Sequence, residues 1–243
     1  MCQRTLCFMI LIFDLDDTLY DERTYVVSGL RAVARFGYER FGWCPTESLS
    51  FMQNVLDKSG RGQIFDLWLA SRSRSTRSLV EECVKVYRHH TPSLQLALGV
   101  EKLLERLSSG YCLYLVTDGH KIVQSKKVEA LGISHFFQKV MITHRYGIRH
   151  AKPSTYCFEL IKSREECEWE EMAYIGDNPA KDFVNLNVLG VKTIRVNTGV
   201  YRNLSAKPGY DAKVTLARLD LLTEAELREI GRASCRERVF AKV

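Results

Sequence analysis

Two acids stand two residues apart at the end of an apolar run: residues 7–13 lead straight into Asp14-Leu15-Asp16-Asp17-Thr18. If the chain stays extended past Phe13, Asp14 and Asp16 point to the same side, because side chains alternate along a strand. Carboxylates converging on one spot repel unless a cation or a shared proton lies between them. Such a pair can bind Mg²⁺, or divide the roles of nucleophile and acid/base. The plain alternative is an acidic strand-to-loop turn without a chemical role.

Three further clusters follow: Thr117-Asp118-Gly119, Lys152-Pro153, and Gly176-Asp177 with Asp182 five residues after Asp177. Taken singly, Thr117 reads as a strand-end hydroxyl, Lys152 as a solvated surface lysine, and Asp182 as a first-turn acid favourable to a helix dipole. As a set they suit phosphoryl transfer through a covalent aspartyl phosphate. A carboxylate that attacks an anionic phosphate needs Mg²⁺ and a fixed cation to offset the repulsion. Catalysis of this kind depends on positioning and on neutralising the phosphate oxygens.

The elements that must bring these groups together are legible in the periodicity. Residues 8–13, 111–117, 139–142, 172–175 and 192–196 are strand-like apolar runs, and four of the five end near the polar clusters or the loops that lead to them. Between them, residues 99–107 and 122–131 show helical spacing, the second closed by Gly132; a helix through residue 162 is expected to carry Pro153 near its first turn, and another closes on Gly190. Strand alternating with helix is the signature of a parallel sheet covered on both faces, with ligands at the carboxyl ends of its strands. One interval breaks the alternation. After Tyr20 helical spacing takes over at Val26, Leu30, Val33 and Phe36, further helix-like segments follow at 46–58, 63–70 and 77–89, and no strand signal intervenes. The fold class is therefore α/β, a Rossmann-like parallel sheet core with an inserted all-helical domain.

The order of these motifs, Asp-x-Asp-x-Thr, then Thr, then Lys, then Gly-Asp with a further Asp, resembles the phosphatase branch of the haloacid dehalogenase superfamily over about residues 8–200. The resemblance implies a role for each residue. Asp14 would attack phosphorus and ligate Mg²⁺. Asp16 would protonate the leaving alkoxide and then deprotonate the attacking water, its backbone carbonyl reaching the metal. Thr117 and the backbone N–H of Asp118 would hold a phosphate oxygen, while the Asp118 side chain faces away or caps a turn. Lys152 would neutralise the phosphate, Asp177 would complete the metal shell, and Asp182 would support Lys152 or a metal-bound water. The helical insert falls where this family carries a C1-type cap, which implies a discontinuous core of residues 1–20 and 96–229 and a cap of residues 21–95. Tyr20, Arg61, Gln63 and His120 become candidate substrate contacts, although Arg61 and His120 also read as ordinary surface residues. The expected activity is Mg²⁺-dependent hydrolysis of a small-molecule phosphate ester. A phosphomutase on the same site and a non-catalytic binding protein on the same fold are the alternatives. Dehalogenation is disfavoured by Asp16, which that chemistry does not need.

Composition narrows the partners. The 243 residues carry a formal charge of +6, but residues 230–243 read as the in-frame translation of a sequencing adapter, a non-native tail; without its Arg232, Arg236, Arg238, Lys242 and Glu237 the charge falls to +3. Neither a nucleic-acid nor a membrane partner is expected, since no apolar run approaches the roughly 18 residues of a membrane span. The eight cysteines form no C-x-x-C pair, so neither a zinc site nor a disulfide framework is indicated; Cys7 and Cys112 read as small core residues, and a cytoplasmic setting is expected. Deleting residues 230–243 is expected to leave melting temperature and activity unchanged.

Overall fold

The computed structural model describes residues 9–224, 226 and 227. Cys7 and the tail from Ile230 lie outside them. The described residues divide into two compact units, one of those up to Glu22 and from Gln95 onward and one of Arg23–Leu94.

The first unit is built on six parallel strands: β1 (Ile10–Phe13), β2 (Cys112–Thr117), β3 (Lys139–Ile142), β4 (Met172–Gly176), β5 (Lys192–Val196) and β6 (Val214–Leu216). Their order is β3-β2-β1-β4-β5-β6. All five neighbouring pairs are parallel. Strand order reverses beside β1, which lies between β2 and β4, and the crevice at that point is where a doubly wound sheet gathers ligands. Every residue of β1 is buried, as a strand covered on both faces must be. Ile10 and Ile12 join Tyr114, Val116, Met172 and Tyr174 in one cluster with Phe158, Ile161 and Leu186. Leu11 and Phe13, which alternate with them, are fully buried on the other face.

The helices of this unit are α5 (Val100–Ser108), α6 (Lys121–Leu131), α7 (Tyr156–Glu165) and α8 (Val184–Leu189). Helix α5 buries Val100, Leu103, Leu104 and Leu107, the stripe expected from its spacing. Gly132 and Gly190 end α6 and α8 in the left-handed conformation. Two boundaries differ from expectation. Helix α7 starts at Tyr156, after Thr155, so Pro153 belongs to the loop before it rather than to its first turn. Helix α8 starts at Val184, which leaves Asp182 in the preceding loop instead of the first helical turn. Strand β6 has no counterpart in the sequence reading. It is three residues long and partly exposed, too short to show a period.

The second unit holds most of α1 (Glu22–Phe41), with α2 (Pro45–Ser59), α3 (Ile64–Ala70) and α4 (Arg77–His89). Its core gathers Leu30, Val33, Met52, Leu69 and Cys83 around the fully buried Trp68. Thr76 caps α4 by accepting from the Leu79 N–H. Cys44, Cys83, Cys157 and Cys167 are free thiols, and Cys112 is half-buried against the sheet core. Among the described residues no helix is long and apolar enough to cross a membrane.

Candidate active site

Asp14 follows β1 directly, and its N–H donates to Ile175 O of β4 at 2.8 Å. The ladder thus continues one residue past the strand and fixes Asp14 beside the end of β4. Its carboxylate meets Lys152, whose Nζ lies 2.8 Å from Asp14 Oδ1 and 2.8 Å from Asp182 Oδ1. The same ammonium donates to Tyr174 Oη at 2.8 Å. Three acceptors match the three N–H bonds of an ammonium, which is how a lysine with a side chain 1% exposed can stay charged. Burial alone would lower the Lys152 pKa, but Asp14 and Asp182 outweigh it and hold it well above the ordinary lysine value. Tyr174 Oη in turn donates to Asp182 Oδ1 at 3.3 Å, and Asp182 Oδ2 accepts from the Asn178 N–H at 2.9 Å. The last residue of β4 is Gly176 for a steric reason: a Cβ there would lie 2.6 Å from Asp182 Oδ2.

Asp14, Asp177 and Asp182 are all buried, and each offers a carboxylate oxygen within 4.8 Å of the others. Burial, partly offset by Lys152, pushes the Asp14 carboxyl up to about 7. Burial and then Asp14 and Asp182 push Asp177 up to about 9. Three carboxylates against one lysine make an all-oxygen donor set that fits a hard divalent cation such as Mg²⁺.

Asp16 is held by a different set of partners. Its Oδ1 accepts from Tyr20 Oη at 2.6 Å and lies 2.7 Å from Lys127 Nζ, and its Oδ2 accepts from Gln124 Nε2 at 2.9 Å. Tyr20, expected as a substrate contact, is 1% exposed with its hydroxyl committed to Asp16, so its place is behind the acid rather than against a ligand. Burial and then Asp16 drive the Tyr20 pKa far up, so the hydroxyl remains a donor. Thr117, at the end of β2, is fully buried and accepts from Gln124 Nε2 at 2.6 Å.

The Asp118 side chain does not face away. It accepts from Thr143 Oγ1 at 2.7 Å, from the Lys152 N–H at 3.1 Å and from Lys181 Nζ at 3.0 Å, and so joins the loops that carry Lys152 and Asp177. Burial opposes its ionisation, but Lys152 and Lys181 outweigh that and lower its pKa. Two loops needing one anchor between β2 and β4 is what the sequence could not display. His120 is half-buried at the residue before α6. Arg61 and Gln63 are exposed in the turn between α2 and α3 of the helical unit. Tyr174, Lys181, Gln124 and Lys127 have no place in the sequence reading. A hydroxyl on an otherwise apolar strand was the available signal for Tyr174; for Gln124 and Lys127 it was the polar character of one face of α6.

A parallel sheet with a switch point at β1, acids at the ends of β1 and β4 and a buried lysine between them defines a hydrolase of the haloacid dehalogenase type. Residues 11–196 match the haloacid dehalogenase-like hydrolase family, and the chain belongs to it. The chain is a phosphatase-type hydrolase. It is 28% identical over 206 residues to a glyceraldehyde 3-phosphate phosphatase of Methanopyrus kandleri, covering 81% of this chain and 87% of that protein. Over 98 residues it is 33% identical to a phosphoserine phosphatase of Thermus thermophilus, 40% of this chain and 39% of that one. The fold is shared with the magnesium-bound putative hydrolase YfnB of Bacillus subtilis, with a TM-score of 0.65 at 18% identity over 92% of this chain and 98% of that one.

Proposed function

We propose that this protein is a Mg²⁺-dependent phosphomonoesterase that acts on a small phosphorylated metabolite through an aspartyl phosphate on Asp14. The observation that carries the reading is Lys152 Nζ, held at 2.8 Å from both Asp14 and Asp182 in a buried acidic cluster. Asp14 Oδ forms a bond to phosphorus as the bond to the leaving-group oxygen breaks, and Asp16 supplies that oxygen with a proton. Water then attacks phosphorus, Asp16 takes back a proton, and Asp14 and inorganic phosphate are released. Lys152, fixed by Asp182 and Tyr174, offsets the phosphate charge without having to reorganise. Thr117 accepts from Gln124 and therefore has its own proton to give to a phosphate oxygen. Asp14 and Asp177, with the backbone carbonyl of Asp16, would hold Mg²⁺, which when bound relieves the repulsion between the acids and the phosphate.

The helical unit occupies the place in chain order of a C1-type cap and would read the leaving group, and Arg61, Gln63 and His120 are the candidate substrate contacts. Relatives named for glyceraldehyde 3-phosphate and phosphoserine support short phosphate monoesters as the substrate class. The test is phosphate release from a panel of sugar, triose, amino-acid and nucleotide monophosphates with Mg²⁺ and with chelator. Release that depends on Mg²⁺ is expected, and silence across the panel would contradict the reading.

A further inference from the structure

Helix α6 turns an unusual face to the sheet. Its buried residues are Gln124, Lys127 and Val128, so two of the three side chains it buries are polar. Gln124 and Lys127 are three residues apart and lie on one side of the helix. Both reach Asp16. Lys127 Nζ is 2.7 Å from Asp16 Oδ1 and 2.9 Å from Glu22 Oε1, with its side chain 2% exposed. Gln124 Nε2 stands 2.9 Å from Asp16 Oδ2 and 2.6 Å from Thr117 Oγ1.

This pattern is more than a means of burying a lysine. A carboxylate accepts only, so the end of the Gln124 side chain that faces Asp16 is its NH₂, and the same NH₂ leaves Thr117 as acceptor. One amide thereby fixes the orientation of Asp16 and the direction in which the Thr117 proton points. Gly119 leaves room for it: its φ is +132°, and a Cβ there would lie 3.3 Å from Gln124 Cγ and Cδ. Asp16 itself remains partly open, its side chain 21% exposed, although both its oxygens are engaged.

We infer that Gln124 and Lys127 are positioning residues for proton transfer, Lys127 with Tyr20 aiming the Asp16 carboxyl at the leaving group and Gln124 linking that carboxyl to the phosphate-holding hydroxyl of Thr117. The inference rests on the acid/base role proposed above for Asp16. It separates the three side chains by what they touch. Of Asp16 and Thr117, Lys127 and Tyr20 bond to Asp16, and Gln124 bonds to both.

The experiment compares kcat/KM for an alkyl phosphate, whose leaving oxygen needs a proton, with kcat/KM for a dinitrophenyl phosphate, whose leaving oxygen does not. The constants cover steps up to departure of the leaving group, and a partly unfolded sample lowers both equally, so their ratio reports proton transfer and not folding. Lys127→Met is expected to cut the alkyl-to-aryl ratio by about tenfold, and Tyr20→Phe, which keeps the buried ring, by about threefold, both inside the range of general-acid contributions. Gln124→Met is expected to cut the ratio and in addition to weaken inhibition by inorganic phosphate about fivefold, the loss of one oriented donor. Lys127→Met should leave phosphate inhibition within twofold of the unaltered protein. Asp16→Asn is the reference. If it collapses the ratio while Lys127→Met, Tyr20→Phe and Gln124→Met all keep it, the positioning inference is overturned and the acid/base role stands. If Asp16→Asn itself keeps the ratio, the acid/base role fails and the inference fails with it.

Discussion

Lys152 is the residue on which the site's charge balance turns, because its ammonium lies 2.8 Å from Asp14 and Asp182 alike. Lys152→Met leaves two buried carboxylates without their cation. The expected cost is about 3 kcal/mol of stability at neutral pH. The cost should shrink in acid, where the orphaned carboxyls take up protons; urea unfolding at pH 5 and pH 7.5 measures both. Turnover should fall by at least about 100-fold, in line with loss of a preorganised charge. Tyr174→Phe removes only a hydroxyl from the same network and is expected to cost about 1 kcal/mol. Its kcat should drop several-fold with KM little changed, because Tyr174 acts through Lys152 and Asp182.

At the scale of elements, the carboxyl ends of the strands do the positioning, and Gly176 shows how tight that is. Gly176→Ala would drive a Cβ against Asp182 Oδ2. Displacing Asp182 from Lys152 should lower kcat by about tenfold or more, since small misplacements of this kind are costly. Gly110→Ala, where an added Cβ meets nothing within 4 Å, is the control and should be neutral in the same assay. The strands that carry the acids were legible in the sequence because each is a continuous apolar run that stops at polar residues; Asp14, Thr117 and Asp177 stand at the ends of such runs, whereas Lys152 and Asp182 stood out only as members of the ordered motif set. What could not be read is how loops and helix faces meet. Asp118 joins two loops through contacts 25 to 63 residues away, and no local pattern encodes them. Nothing local ties Gln124 and Lys127 of α6 to their partner, Asp16, which is more than 100 residues distant. Pro153 suggested a helix start that falls at Tyr156, because the loop before α7 also has to turn Lys152 into the acidic cluster.

For the whole molecule, the acidic cluster ties stability to pH and to metal. The Asp14 and Asp177 carboxyls titrate near 7 and 9 in the fold and near 4 when unfolded. Between these values the folded state holds more protons, so stability is greatest toward pH 4 and falls as pH rises toward 9. Asp118 has the opposite sign: its lowered pKa adds stability above about 4 that is lost only as the solution becomes more acidic. The chelated protein should therefore melt at lower temperature at pH 8.5 than at pH 5.5. Mg²⁺ should raise the melting temperature most at the alkaline end, where the acids must be ionised to bind it. A Mg²⁺ shift independent of pH would place the ion elsewhere. The central claim is covalent: phosphate passes through Asp14. Acid-quenching the enzyme during turnover of an aryl phosphate with Mg²⁺, reducing it with borohydride and mapping the peptides should convert Asp14 to homoserine, and Asp14→Asn should give neither conversion nor turnover. Sustained turnover by Asp14→Asn, or an adduct on any other residue, would contradict the account.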